Sequence, residues 1–150
     1  MKRLHMHVGV ADLDRSIAFY TSLFGAPPTV RQADYAKWML EDPRANFAIS
    51  THAKPGIEHV GIEVESDGEL AEVGTRLASA GEALVPEPQT VCCYARSSKA
   101  WTRDPDGVIW ETFLTRGQET VYGARPAAAE WGDALPASAR VEAPPAPCCG

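Results

Sequence analysis

The residues best equipped for chemistry fall into two groups. His5 and His7 alternate within LHMHVGV (residues 4–10), His59 lies in IEHVGIEVE (57–65), and Glu111 lies in VIWETFL (108–114). Two histidines and one carboxylate form the facial triad of non-haem Fe(II) enzymes, which leaves about three positions of an octahedral ion open. Zn(II), Mn(II) or Ni(II) suits similar ligands, so ligand type alone does not fix the metal. In VIWETFL, alternation places Ile109, Glu111 and Phe113 on one face, and a carboxylate buried among apolar neighbours costs several kcal/mol unless a cation compensates it. His5 and His7 compete for the first ligand position. Literal matching of HVG pairs His7 with His59, whereas the spacing from His5 to Val10 and from His59 to Val64 pairs His5 with His59. We take His5 as the ligand and His7 as its neighbour beyond the metal.

The second group is sulfur. Cys92 and Cys93 adjoin in TVCCYARSSKAW (90–101), and Cys148 and Cys149 adjoin in APPAPCCG (143–150). A disulfide between neighbours closes almost no loop, so these thiols are expected to be free in a reducing compartment. Thiolates are soft ligands suited to a soft metal or metalloid, and they are open to redox chemistry. Residues on a regular strand point to opposite faces, so two neighbouring sulfurs can hold one atom only where the chain bends, bulges or loops. VCC is therefore expected to depart from regular paired strand when both sulfurs hold one atom. Lys99 and Arg96 are placed to lower a thiol pKa, and Tyr94, Trp101 and Trp110 to surround an organic group.

The elements that must position these groups read as one pattern written twice. LHMHVGV sets Leu4, Met6, Val8 and Val10 on one face and His5, His7 and Gly9 on the other. DLDRSIAFYTSLFGA (12–26) follows as a helix, with Ile17, Phe19, Tyr20, Leu23 and Phe24 near helical spacing, Asp12 as cap and Gly25 as stop. Strands fit PTVRQ, YAKWML and NFAIST, with DPRA (42–45) as a turn. The second copy begins with IEHVGIEVE, where Val60, Ile62 and Val64 oppose His59 and Gly61. GELAEVGTRLASAG (68–81) supplies a helix with Leu70, Val73, Leu77 and Ala80 inward and Gly81 as terminator. Strands then fit EALVP, VCCYARS, KAWTRD and VIWETFL, with DPDG (104–107) as a turn. Aligning the two Asp-Pro turns sets Ile49 against Glu111, so the repeat builds one metal site rather than two.

At 150 residues the chain suits one domain, expected over residues 1–122 with modules at about 3–52 and 57–116; residues 123–150 read as a flexible Ala/Pro-rich tail. A net charge of −6 offers no basic footprint for nucleic acid. No apolar run reaches the roughly 20 residues of a membrane span, and the N-terminus lacks the form of a secretory signal. A cytoplasmic address is expected.

HMHVGVADLDRSIAFYTSLFG, IEHVGIEVE and DPDGVIWETF resemble the vicinal oxygen chelate superfamily of glyoxalases, extradiol dioxygenases and fosfomycin-resistance proteins. That resemblance covers roughly residues 3–116 and implies an α+β fold in which two βαβββ modules form a cupped, barrel-like mixed sheet around one divalent metal. DYAKWMLEDPRANFAIS, TVCCYARSSKAW and TFLTRGQETVYG are similar to the organoarsenical lyase and cadmium-induced protein branch. The branch implies Fe(II)- and dioxygen-dependent cleavage of the carbon–arsenic bond in trivalent methyl or aromatic arsenicals. Its metal ligands fall on His5, His59 and Glu111, and its substrate thiols on Cys92 and Cys93. Some members of the branch carry glutamine at the first position. A homodimer is compatible with the fold. The rival readings are a thiol protein that sequesters arsenite or cadmium without catalysis, and another metalloenzyme of the superfamily with incidental cysteines. For Cys148 and Cys149, capture of arsenic and a chance dipeptide are equal expectations.

Overall fold

The protein is described by a computed structural model in which residues 1–123 are placed. The expected tail and its Cys148–Cys149 pair lie outside the described residues. Strands β1 (Arg3–Gly9), β2 (Val30–Arg31), β3 (Tyr35–Glu41), β4 (Arg44–Ser50), β5 (Gly56–Val64), β6 (Val85–Cys92), β7 (Ala95–Arg103) and β8 (Ile109–Gln118) form one sheet. Helix α1 (Leu13–Phe24) follows β1, and helix α2 (Asp67–Ser79) follows β5. The strand order is β2-β3-β4-β1-β5-β8-β7-β6. β1 and β5 pair antiparallel at the centre, β4 lies parallel to β1, and β8 lies parallel to β5. Two βαβββ units thus join along their first strands, the mixed sheet expected from the repeat. Among the described residues no helix is long and apolar enough to cross a membrane.

Alternation on β1 separates two environments. Met6, Val8 and Val10 pack toward a core of Leu13, Ile17, Ala36, Trp38, Leu40, Phe47 and Ile49 under α1, while His5 and His7 are buried on the opposite, concave face. Asp12 caps α1 by accepting from the Arg15 amide at 3.0 Å, and Gly25 ends it in the left-handed region. Ser66 caps α2 by accepting from the Glu69 amide at 3.2 Å.

Several expectations need correction. Phe19 and Leu23 are 61% and 62% exposed, because the core stripe of α1 runs through Leu13, Ile17, Tyr20 and Phe24 and leaves those two on its outer side. Leu4 is also exposed, and so is Ala80, the C-cap of α2. PTVRQ contributes only the pair Val30–Arg31. EALVP, VCCYARS and KAWTRD are not three strands but one hairpin, β6 and β7, whose turn falls at Cys93–Tyr94. Both residues have positive φ, 57° and 59°, as a two-residue type I′ hairpin turn requires.

The counterpart of Glu111 is also one residue off. His5 pairs with Asn46 and His7 with Ala48 on β4, while Val60 pairs with Trp110 and Gly61 with Glu111 on β8. Equating His5 with His59 therefore equates Ala48, not Ile49, with Glu111. The turn between β3 and β4 is shorter than the one between β7 and β8, which shifts the register. Ile49 faces the α1 core instead, and the first module still lacks a carboxylate.

Gly61 permits the close approach of β5 to β8: a Cβ there would lie 2.3 Å from the Glu111 carbonyl oxygen. Gly61→Ala is expected to destabilise the protein by about 1–3 kcal/mol through this overpacking. Denaturant titration checks it, and an unchanged midpoint would refute it.

Candidate metal centre and thiol pair

Three strands deliver the triad into the concave face. His5 comes from β1, His59 from β5 and Glu111 from β8, and all three are buried. His5 Nε2 lies 3.3 Å from His59 Nε2. Glu111 Oε2 lies 3.7 Å from the first and 3.4 Å from the second. The three ligand atoms fall within 4.8 Å of one another, close enough to share one ion.

The ring orientations fit a metal. His5 Nδ1 is 3.0 Å from the Asn46 carbonyl oxygen; a carbonyl only accepts, so Nδ1 carries the proton and Nε2 turns its lone pair toward the other ligands. His59 Nδ1 faces the Glu58 carboxylate at 3.7 Å, leaving its Nε2 on the triad side. Burial drives the His5 pKa down to about 3 against the pull of Glu111, so the ring is neutral and able to ligate at physiological pH. Burial would raise the Glu111 pKa, but the Lys99 ammonium and His59 outweigh it and hold the carboxyl well below its usual range.

His7 has other partners. Its Nδ1 pairs with Glu58 Oε2 at 2.9 Å and its Nε2 with Ser50 Oγ at 3.0 Å. Burial lowers its pKa, yet Glu58 and the charge on Cys93 outweigh that and raise it. His7, Glu58 and His59 form a second cluster of ligand atoms, but both nitrogens of His7 are already engaged. The set that converges around one point, with a His5 nitrogen bearing a free lone pair, is His5, His59 and Glu111.

The thiols open into the same pocket. Its walls include His5, His59, Glu111, Cys92, Cys93 and Lys99, around a free volume of about 40 Å³. Cys92 ends β6 and Cys93 occupies the turn, so the change of chain direction brings the sulfurs to 3.0 Å. The geometric obstacle of adjacent strand residues is thereby removed. Cys93 contacts the Tyr122 hydroxyl at 3.6 Å, and Tyr94 anchors the turn by donating to Asp34 at 2.6 Å. The hydrogen bond from Cys92 lowers the Cys93 pKa, burial opposes it, and His7 and Lys99 assist, leaving it at about 6. The same hydrogen bond and burial push Cys92 far up.

Lys99 and Arg96 divide. Lys99 is buried with its ammonium 2.5 Å from Glu111 Oε1, whereas Arg96 is 56% exposed and pairs with Glu119. The aromatic residues divide as well. Trp101 packs edge-on against His59 at 5.3 Å, and Trp110 lines a separate groove beside α2. Sequence patterning passed over Tyr35, Asn46, Ser50, Glu58 and Tyr122. Alternation on β3 could have pointed to Tyr35, but the others declare themselves only through contacts between strands.

Residues 2–112 match the Glyoxalase/Bleomycin resistance protein/Dioxygenase superfamily. The chain is 42% identical over 120 residues to a trivalent organoarsenical cleaving enzyme of Bacillus sp. (strain MD1), covering 77% of this chain and 74% of that protein. A trivalent organoarsenical cleaving enzyme of Thermomonospora curvata is 33% identical, covering 78% and 80%. The cadmium-induced protein CadI of Mycobacterium tuberculosis is 31% identical, covering 84% of each. Among solved structures, the 2,3-dioxygenase LapB from Pseudomonas sp. KL28 superposes with a TM-score of 0.60 at 20% identity, over 85% of this chain and 48% of that one. The Mn(II)-bound glyoxalase from Novosphingobium aromaticivorans gives 0.57 at 17%, over 92% and 46%. These likenesses show the fold.

The thiol pKa values predict unequal reactivity. Cys93 is expected to alkylate with a midpoint near pH 6, while Cys92 stays protonated and slow through pH 9. Mass-resolved iodoacetamide kinetics across pH would show it, and equal rates with midpoints above pH 8 would contradict it.

Proposed function

Because the chain belongs to the Glyoxalase/Bleomycin resistance protein/Dioxygenase superfamily, we propose that it is an Fe(II)- and dioxygen-dependent carbon–arsenic lyase that converts trivalent organoarsenicals to arsenite. Methylarsenite and aromatic arsenicals are its expected substrates. The observation that carries this reading is the shared pocket: a pair of sulfurs 3.0 Å apart opens beside a buried His–His–Glu set. Relatives at 33–42% identity named for organoarsenical cleavage support it.

His5 Nε2, His59 Nε2 and Glu111 Oε2 would hold the ion, and Fe(II) would supply redox chemistry toward dioxygen. The chain's own contribution begins with the thiols. A trivalent arsenical RAs(OH)₂ offers two exchangeable oxygens. The Cys93 thiolate displaces one as hydroxide, and the Cys92 thiol displaces the other, sending its proton out with that oxygen as water. Two As–O bonds break and two As–S bonds form, with no change in oxidation state. The hydroxide takes a proton from solvent. Two sulfurs fix both the position and the orientation of the arsenic, which one sulfur would leave free to rotate. Tyr122 and the Tyr94–Asp34 contact brace the turn that holds them.

Sequestration without catalysis is the rival, favoured by the likeness to cadmium-induced proteins. Protein reconstituted anaerobically with Fe(II), then given methylarsenite and air, should release arsenite detectable by speciation. Glu111→Gln and Cys93→Ser should each lower that release by at least about 10²-fold, the scale of lost positioning. Tight arsenic binding with no arsenite release would support sequestration, and release untouched by Cys93→Ser would make the cysteines incidental.

A further inference from the structure

The pocket contains a cation that the reaction outlined above does not use. Lys99 on β7 stands opposite Phe113 and diagonal to Glu111, which pairs with Trp101. Its ammonium lies 2.5 Å from Glu111 Oε1, while the other oxygen, Oε2, faces the two histidines. The rings of Trp101 and Phe113 flank the ammonium at 5.5 and 5.9 Å. Lys99 is 8% exposed and Glu111 2%, so neither charge can turn to solvent for an alternative partner.

We propose that Lys99 is a positioning residue that occupies Glu111 Oε1, so that the carboxylate ligates the metal through Oε2 alone. This rests on the metal reading of the triad. Carboxylates bind divalent ions through one oxygen or both, and a second oxygen would take a coordination position that substrate or dioxygen needs. The ammonium thus protects an open position by engaging the oxygen that would fill it. It also shares the pocket with both thiols, where its positive charge favours the Cys93 thiolate.

Co(II) titration with electronic absorption tests this without reference to turnover. Lys99→Met keeps length and removes charge. It frees Oε1 and the negative charge of Glu111, so the variant should bind Co(II) about tenfold more tightly and show altered d–d bands from the added oxygen. Lys99→Arg, which can again engage Oε1, should restore the wild-type spectrum. Wild-type bands and affinity in Lys99→Met would overturn the proposal. So would weaker binding with unchanged bands, the signature of a merely structural lysine. If Lys99→Met does not fold, Lys99→Leu, which also offers no donor to Oε1, is read by the same two criteria. Arsenical uptake by the thiols is measured separately through protection of Cys92 and Cys93 from alkylation. A wild-type protein that takes up arsenical but no Co(II) overturns the metal reading itself, whereas a failed variant comparison overturns only the role of Lys99.

Discussion

The rest of the site depends on a sealed carboxylate. Glu111 is 2% exposed at the floor of a cup built from eight strands, and such a charge persists only if opposite charge and hydrogen-bond donors surround it. Lys99 meets one oxygen, and the imidazoles of His5 and His59 converge on the other. A lysine alone would complete an ordinary buried ion pair and leave the histidines without purpose. The His5 lone pair, aimed by the Asn46 carbonyl from behind, and the His59 nitrogen beside it make the arrangement suited to a second cation.

The thiol pair is governed by backbone rather than charge. Two consecutive non-glycine residues in the left-handed region each cost on the order of 1–3 kcal/mol, yet the turn places Cys93 and Tyr94 there. Surrounding contacts compensate: Tyr94 is tied to Asp34 across the modules, the Glu119 amide donates to the Tyr94 carbonyl, and Gly123 bridges to Cys92. The strain yields adjacent sulfurs on one side of the chain. Here the demand of the chemistry overrides local conformational preference.

Much of this was legible from sequence because alternation is a strict signal. LHMHVGV and IEHVGIEVE assign faces by alternation. Literal matching of HVG and the spacing to Val10 and Val64, however, set His7 and His5 in competition as the equivalent of His59, and the choice of His5 rests on the spacing. What patterning could not supply was register and loop length. Two residues join β3 to β4 and five join β7 to β8, and with these unequal turns the counterpart of Glu111 is Ala48 rather than Ile49. VCCYARS has strand composition, and only the pairing of Cys92 with Ala95 reveals that the chain reverses inside it. The partner of Lys99 was equally hidden, since its diagonal contact with Glu111 depends on how β7 and β8 align.

The sulfur pair and the His–His–Glu set are proposed to serve one substrate in one pocket. A crystal structure of the Co(II)-loaded protein with methylarsenite tests it most directly. Arsenic is expected on both Cys92 and Cys93 Sγ, with Co(II) held by His5, His59 and Glu111 in the same cup. Arsenic on a single sulfur outside the cup, or Co(II) seated instead on His7 and Glu58, would contradict it.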